Sequence, residues 1–591
     1  MKDQKSFNWI LKTIHNYIYA NEGMSQQQAF SEVVKILFIK IFDEKNSLKH
    51  FFITDEEFKK IKLTGKSESF ELRMRDLFWY VKKTYKGAFS IQQEIELSYL
   101  TLAYIIKKIQ DQYLSIKDED LCGLVYQQYI SDHQKGERGQ FFTPLPVVKL
   151  AIGLIDPGEH ETVIDPACGS GSFLVSTVSY LKTKDANLNV LEYSKEKLRG
   201  YEINASIVSL AKMAIVLSGG DPASIQKRDS LKRNLGKLRN EKFDLIMTNP
   251  PFGIKGRVED RKTLSEFDLA HQYIEIGNKV VRTNKMRDSQ TPEILFIEKC
   301  VQLTKKGGRG VILLPNGILM NKRYSYVRSF LKLRVSIDMV VQLPEGTFSS
   351  LGTTIKTSLL FYSRKIGVNT IFAKATLSQD LIMKIVDEFM LETKKIDDRL
   401  DYEFNRPFYR EEEKKLKDSK KMYEVAEFVA KNKIVHKGMV YYVEVGNINP
   451  TYMEIDVEKK IKANTLPERG VYILQEGDLL IAKVGNFIGT QKHAVAYVDK
   501  KYQGAIASSA FSVLRNFKID PFYLLYFLKS KFFLQQLNRH RSGSLIPFVK
   551  ENDIKEMRVE IPSENEIKDW SNKIRKFIYT KNKSRRILAN L

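Results

Sequence analysis

The sequence predicts a multidomain chain: an N-terminal α-helical domain, an α/β domain on a mostly parallel sheet, and a C-terminal α+β domain closed by a terminal helix. Three observations lead there. Apolar residues recur at three- and four-residue spacing to about residue 130, then gather from about 137 to 365 in short runs separated by longer helical stretches. Beyond a charge-dense connector they form strand-like runs divided by Gly, Asn and Asp. The expected divisions are 1–135, 136–375, 376–435 (connector), 436–562 and 563–591 (final helix). At 591 residues and 43% hydrophobic content, the chain exceeds one core and can fill about three or four.

The first domain rests on FNWILKTIHNYIYA, SQQQAFSEVVKILFIKIF, ELRMRDLFWYVKKTY and IQQEIELSYLTLAYIIKKIQDQYL, with capping-box starts expected at Ser25 with Gln28 and at Ser90 with Gln93. The second rests on TVIDPA, FDLIMTN, GVILLP, SIDMVVQLP and TSLLFYS as strands. The connector includes YREEEKKLKDSKK, a solvated spacer by composition. The third rests on MVYYVEVGNINP, GVYILQEGDLLIAKVGNF, HAVAYVD and AFSVLRN as strands, then PFYLLYFLKSKFFLQQLNRH as helix. In the last helix Ile567, Trp570, Ile574 and Phe577 stand near heptad spacing.

Lys and Arg outnumber Asp and Glu by 95 to 71, a net charge of +24 and a pI near 9.4, which suits a polyanionic partner. No apolar run is long enough to span a membrane, and the first residues lack signal-peptide features, so a cytoplasmic location is expected. Cys122, Cys168 and Cys300 are far apart, with neither metal nor disulfide spacing; no metal is expected. No GxxxxGK[ST] motif is present, so no translocating ATPase is read here.

Two motifs carry chemistry. In TVIDPACGSGSFLV, Asp165 ends a strand and a glycine turn opens a helix, an arrangement that brings backbone amides close to a ligand. Leu174 replaces the third glycine of the dinucleotide fingerprint, and the next strand-end acid, Glu202, is late, so a nucleoside without pyrophosphate fits better. In FDLIMTNPPFG, a buried strand ends in Asn249, Pro250, Pro251 and Phe252. A conjugated amino nitrogen is a poor nucleophile. The Asn249 side-chain oxygen and Pro250 carbonyl can accept its two N–H groups, the prolines stiffen the loop, and Phe252 offers a face to a planar base.

In the order DPACGSG, YEIN, NPPF, residues 139 to about 365 resemble the gamma-class amino-methyltransferases, and most closely the modification subunits of Type I restriction-modification systems. The resemblance implies a Rossmann-like methyltransferase domain that moves a methyl group from S-adenosylmethionine to adenine N6. It assigns GQFFTP, with Gln140, Phe142, Thr143 and Pro144, to the methionine moiety, and Asp165, Gly169, Ser170, Gly171 and Ser172 to the glycine loop. It assigns Glu202 to the ribose hydroxyls, Asp229 to the cofactor's adenine, and Asn249, Pro250, Pro251 and Phe252 to catalysis. The C-terminal 180 or so residues are similar to one half of a Type I specificity subunit, implying a single target-recognition domain with Lys483, Asn486, Lys492 and Arg541 as base-reading candidates.

One such domain reads a half-site, so a homodimer on double-stranded DNA is expected, with the closing helix either pairing two chains or packing on its own domain. A nuclease or translocase, where one exists, belongs to another polypeptide. Two other readings stay open: a catalytically silent DNA-binding component of a defence system, and a glutamine methyltransferase acting on protein.

Overall fold

The computed structural model describes residues 10–114, 143–232, 242–409, 418–432 and 438–589, apart from short gaps at 11–12, 15, 86–87, 90, 254–255, 277–278, 350–354, 366, 379–381, 397 and 544–545. The chain forms two compact units, Met1–Leu400 and Asp401–Leu591. Among the described residues no helix is long and apolar enough to cross a membrane.

In the first unit, α1 (Gln26–Lys45), α2 (Asp55–Thr64), α3 (Glu68–Thr84) and α4 (Tyr99–Ile109) precede the sheet. Ser25 and Gln28 form the expected capping box. The second expected start does not hold: Ser90 lies outside the described residues, Gln93 sits in a loop, and α4 begins at Tyr99 with Ser98 as its cap. The reason is a buried lysine. Lys82 donates to the carbonyls of Ile91 and Gln93 and to the Glu94 carboxylate, and Lys35 donates to the Glu94 carbonyl, so this stretch spends its acceptors on ammonium groups instead of a helix. Lys35 is 1% exposed and pairs with Glu32, 2% exposed.

The sheet has nine strands: β1 (Val163–Asp165), β2 (Leu198–Glu202), β3 (Ile225–Lys227), β4 (Phe243–Thr248), then, after a separate hairpin of β5 (His271–Ile276) and β6 (Lys279–Met286), β7 (Thr304–Pro315), β8 (Ser336–Gln342), β9 (Thr357–Ser363), β10 (Asn369–Leu377) and β11 (Met383–Glu392). Their order is β11-β10-β8-β9-β7-β4-β1-β2-β3. The pairs β3-β2, β2-β1, β1-β4, β4-β7 and β8-β10 are parallel; β9 runs against both β7 and β8, and β11 against β10. Crossover helices α5 (Leu145–Ile155), α6 (Ser172–Lys184), α7 (Val190–Lys197), α8 (Ala205–Leu217) and α9 (Pro292–Leu303) cover it. One apolar core is shared between the first helices and this sheet. The order turns back at β1, and a sheet that reverses there opens a crevice at the carboxyl ends of its strands.

The second unit has a six-stranded sheet in the order 427–428, 511–515, 479–482, 495–497, 454–455, 448–449 and a three-stranded one built on 442–443, 506–508 and 470–473. Helices α10 (Pro521–Phe527) and α11 (Lys531–His540) pack on the larger core. In α12 (Glu564–Ala589), Trp570 stacks on Tyr526 at 3.9 Å, Ile574 packs on that core, and Phe577 stacks on Tyr452. The apolar side of the closing helix is therefore largely spent inside its own unit.

Glu32→Ala is expected to cost about 3 to 5 kcal/mol in urea unfolding, because it leaves the Lys35 ammonium buried without its nearest carboxylate. Replacing both residues with leucine should cost far less. Equal losses from the two changes would show that the pair is not what the helices depend on.

Candidate active site

The crevice is a cavity of about 760 Å³ at the carboxyl ends of β1, β2, β3 and β4. From the β1 side it is lined by Asp165, Gly169, Ser170 and Ser172, from β2 by Glu202, from the segment after β3 by Asp229, and from the segment after β4 by Asn249, Pro251 and Phe252. Thr143 closes one side. Gly171 caps α6 at φ +83°, Pro144 caps α5, and Pro250 is buried behind the loop; these three do not line the cavity. Gln140 and Phe142 lie outside the described residues.

Local chemistry explains the shape. After β1 the chain turns through Gly169 at φ +52° and Gly171, with the Cys168 N–H donating to the Tyr201 carbonyl at 2.9 Å. That bond ties the glycine turn to β2. On β2, Gly200 has no room for a side chain, since a Cβ there would stand 2.7 Å from both Ile225 and Leu174. Leu174, in the place of a third glycine, is fully buried and helps fill that space.

The carboxylates are anchored by backbone amides. Asp165, 1% exposed, accepts from the Ala167 N–H at 3.0 Å, and Glu202 accepts from the Asn204 N–H at 2.8 Å and from Gly169. Burial raises both: Asp165 is pushed up to about 7, with the neighbouring Glu202 adding to the rise and the bond from Ala167 opposing it. The Asp229 carboxylate is held by the Leu231 N–H at 3.0 Å, and Ser230 donates to the Pro166 carbonyl, bracing this segment against β1.

Opposite stands the loop after β4. Asn249 and Phe252 both border the cavity, and Phe252, 5% exposed, also belongs to the apolar core. Sequence reasoning missed other walls. Tyr201 carries the Arg228 guanidinium 4.5 Å from its ring centre, and Pro292 and Phe296 of α9 close the far side. Phe296 reads as ordinary helix core, and Tyr201 and Arg228 flank strand ends that the motifs had already named; only the assembled crevice shows them facing one space.

Fold and site together define a multidomain α/β protein of the methyltransferase kind. The chain belongs to the N-6 DNA Methylase family, which matches residues 117–435. It is similar to the Type I restriction enzyme EcoEI methylase subunit of Escherichia coli, 28% identical over 293 residues that cover 48% of this chain and 54% of that protein. It is also similar to the Type I restriction enzyme MjaVII methylase subunit of Methanocaldococcus jannaschii, 28% identical over 252 residues, 42% of this chain and 41% of that one. The chain spans about half the length of the curated relatives it matches. Among solved structures, the Type IIL restriction-modification enzyme MmeI in complex with DNA has a TM-score of 0.55 at 13% identity, covering 98% of this chain and 91% of that one, a likeness of fold alone.

In the unfolded chain Asp165 titrates near 3.8, whereas in the folded chain it holds its proton to about 7. The folded state thus binds the extra proton between those values, a stabilisation that is complete below about pH 4 and lost as pH rises to 7, on the order of 4 kcal/mol. Asp165→Asn should flatten that part of the stability profile, read by denaturant midpoint against pH. An unaltered profile would mean that Asp165 is ionised throughout.

Proposed function

We propose that this chain is a DNA adenine-N6 methyltransferase of a restriction-modification or related defence system. It takes its methyl group from S-adenosylmethionine and acts on an adenine turned out of the helix. The observation that carries the reading is that three separate sequence segments, DPACGSG, YEIN and NPPF, border one crevice at the reversal of strand order.

The residues fit the cofactor. The cavity has room for a nucleoside with an amino-acid chain, Glu202 is a buried acceptor held by backbone amides, and the turn at 169–172 opens α6 beside it. Glu202 would hold the ribose hydroxyls, Asp229 the adenine, and Asp165 with the glycine turn and Thr143 the methionine end. Bound there, S-adenosylmethionine supplies a methyl group on a positively charged sulfur. Asn249 would accept from the target amino group and draw its lone pair out of conjugation with the ring, with the Pro250 carbonyl as the second acceptor expected of this loop although Pro250 does not line the cavity, while Phe252 would stack on the base. Pro250 and Pro251 keep these acceptors in position between turnovers.

Residues 401–591 are the target-recognition unit in this reading, and their single copy favours a two-chain complex on a split palindromic site. The packing of Trp570 and Ile574 on their own unit shifts that pairing away from the first half of α12.

Asn249→Ala is expected to lower single-turnover methyl transfer about a hundred- to a thousand-fold with cofactor affinity nearly intact, whereas Glu202→Ala should weaken cofactor binding by calorimetry. The reverse pattern would exchange the two roles, and near-normal turnover in both would remove the assignment. Light scattering on a duplex bearing the methylated site should give two chains per site. A single chain methylating a non-palindromic site at full rate would rule the pairing out.

A further inference from the structure

Residues 481–550 carry eleven Lys and Arg against Asp499 and Asp520 alone, a concentration of positive charge well beyond that of the chain as a whole. Within this segment one short loop, Gly485–Lys492, is braced from every side. Val484 and Ser542 both bridge to Phe548, and the Gly485 N–H donates to the Pro547 carbonyl at 3.0 Å. Ile488, 1% exposed, plugs the loop into the core.

The far end of the loop is held by side chains beneath it. Gly489 sits at φ +75° with the Asn538 amide so close that a Cβ would meet it at 2.3 Å, and that amide donates to the Gly489 carbonyl at 2.7 Å. The Lys529 ammonium donates to the carbonyls of Gln491 at 2.6 Å and His493 at 3.0 Å. Thr490 closes the turn through the Phe487 carbonyl at 2.8 Å.

What this bracing presents to solvent is Asn486, Phe487, Thr490, Gln491 and Lys492. Phe487 is 57% exposed, with the Lys492 ammonium 5.7 Å from its ring centre. One exposed phenylalanine is ordinary. An exposed phenylalanine on a loop whose carbonyls are tied by the side chains of Thr490, Lys529 and Asn538 is a side chain held ready for something outside the protein. By contrast Lys483, a base-reading candidate from sequence, is 6% exposed and bonded to Glu551 at 2.7 Å, so it is a strut under the same loop and no reader of bases.

We propose that Gly485–Lys492 is the base-contacting loop for duplex DNA in this unit, with Phe487 as an apolar wedge at a base step and Asn486 and Gln491 meeting base edges. The inference rests on the reading of residues 401–591 as the recognition unit. The occupant follows from chemistry on the surface itself: the exposed Lys492, Lys500, Lys501, Lys518, Lys531 and Lys550 match a phosphate backbone, amide side chains pair with adenine edges, and an aromatic ring stacks on or between bases. Lys492 either joins them at a base or holds a neighbouring phosphate.

The test uses the full chain and a duplex enriched by it from a random pool, so it does not depend on methyl transfer. Affinities for that duplex and a scrambled one are measured by fluorescence anisotropy at fixed salt. Phe487→Ala and Gln491→Ala should each weaken the enriched duplex about ten- to a hundred-fold and leave the scrambled duplex and the unfolding midpoint unchanged, with Phe487→Leu intermediate. Lys518→Ala, exposed in the same basic segment but off the loop, should leave the ratio between duplexes as it is. Full preference for the enriched duplex in Asn486→Ala, Phe487→Ala and Gln491→Ala alike overturns the inference, as does failure of the pool to converge. A chain that selects a sequence through this loop yet transfers no methyl group overturns the enzymatic reading instead.

Discussion

The reversal of strand order beside β1 is the constraint on which the rest of the first unit depends. β1 is only three residues long and wholly buried, yet it pairs in parallel with β2 on one side and β4 on the other. Helices leaving those strands go to different parts of the sheet, so none covers the carboxyl end of β1. A space must remain there. Asp165, Glu202 and Asn249 are the strand-end or next residues around it, and their convergence needs no long-range design beyond this topology. The close packing of Gly200 against Leu174 and Ile225 keeps the strand ends at one height.

The same unit handles buried charge in two ways. At the crevice, acids are taken out of water, which raises their proton affinity, and the backbone N–H donors that meet them only partly oppose the rise. Such groups lower stability near neutral pH, and buried acids of this kind gather where a cleft is kept open. Among the first helices, lysines are buried and met by carbonyls and carboxylates: Lys35, Lys40 and Lys82 each gather loop carbonyls that no helix or strand would satisfy. There the charges act as cross-links.

How far the sequence could be read follows from which interactions are local. The strands at TVIDPA and FDLIMTN, the turn between them and α6, and the gathering of Asp165, Glu202, Asn249 and Phe252 were legible because each is set by a short run of residues and the order of runs sets the topology. The capping box at Ser25 was legible for the same reason. Ser90 with Gln93 has the same local signature and starts no described helix, because Lys82 on the preceding helix and Lys35, distant in sequence, take the carbonyls that a helix would need. Tyr201, Arg228 and Phe296 were missed because only the folded crevice aligns them. The closing helix shows the limit of periodicity: Trp570 and Ile574 announce an apolar stripe, but only the facing Tyr526 decides that the stripe packs inward.

The second unit faces a problem opposite to that of the crevice. A cavity can be made by leaving a space uncovered, whereas a protruding contact must be built up and kept from collapsing onto the protein. An exposed phenylalanine gains by folding back on apolar surface, and ordering it only on binding would subtract from affinity. The bracing of Gly485–Lys492 answers both difficulties. The buried Ile488 next to Phe487 fixes which neighbour points inward, since adjacent residues on so short a turn cannot both enter the core. Asn538 and Lys529 then hold the returning arm by its carbonyls, and His493, fully buried and kept neutral by desolvation and by the nearby Lys529, adds no charge beneath a surface already rich in cations. The loop's conformational entropy is lost during folding, so whatever meets Asn486, Phe487 and Gln491 is met by side chains whose backbone is already in place.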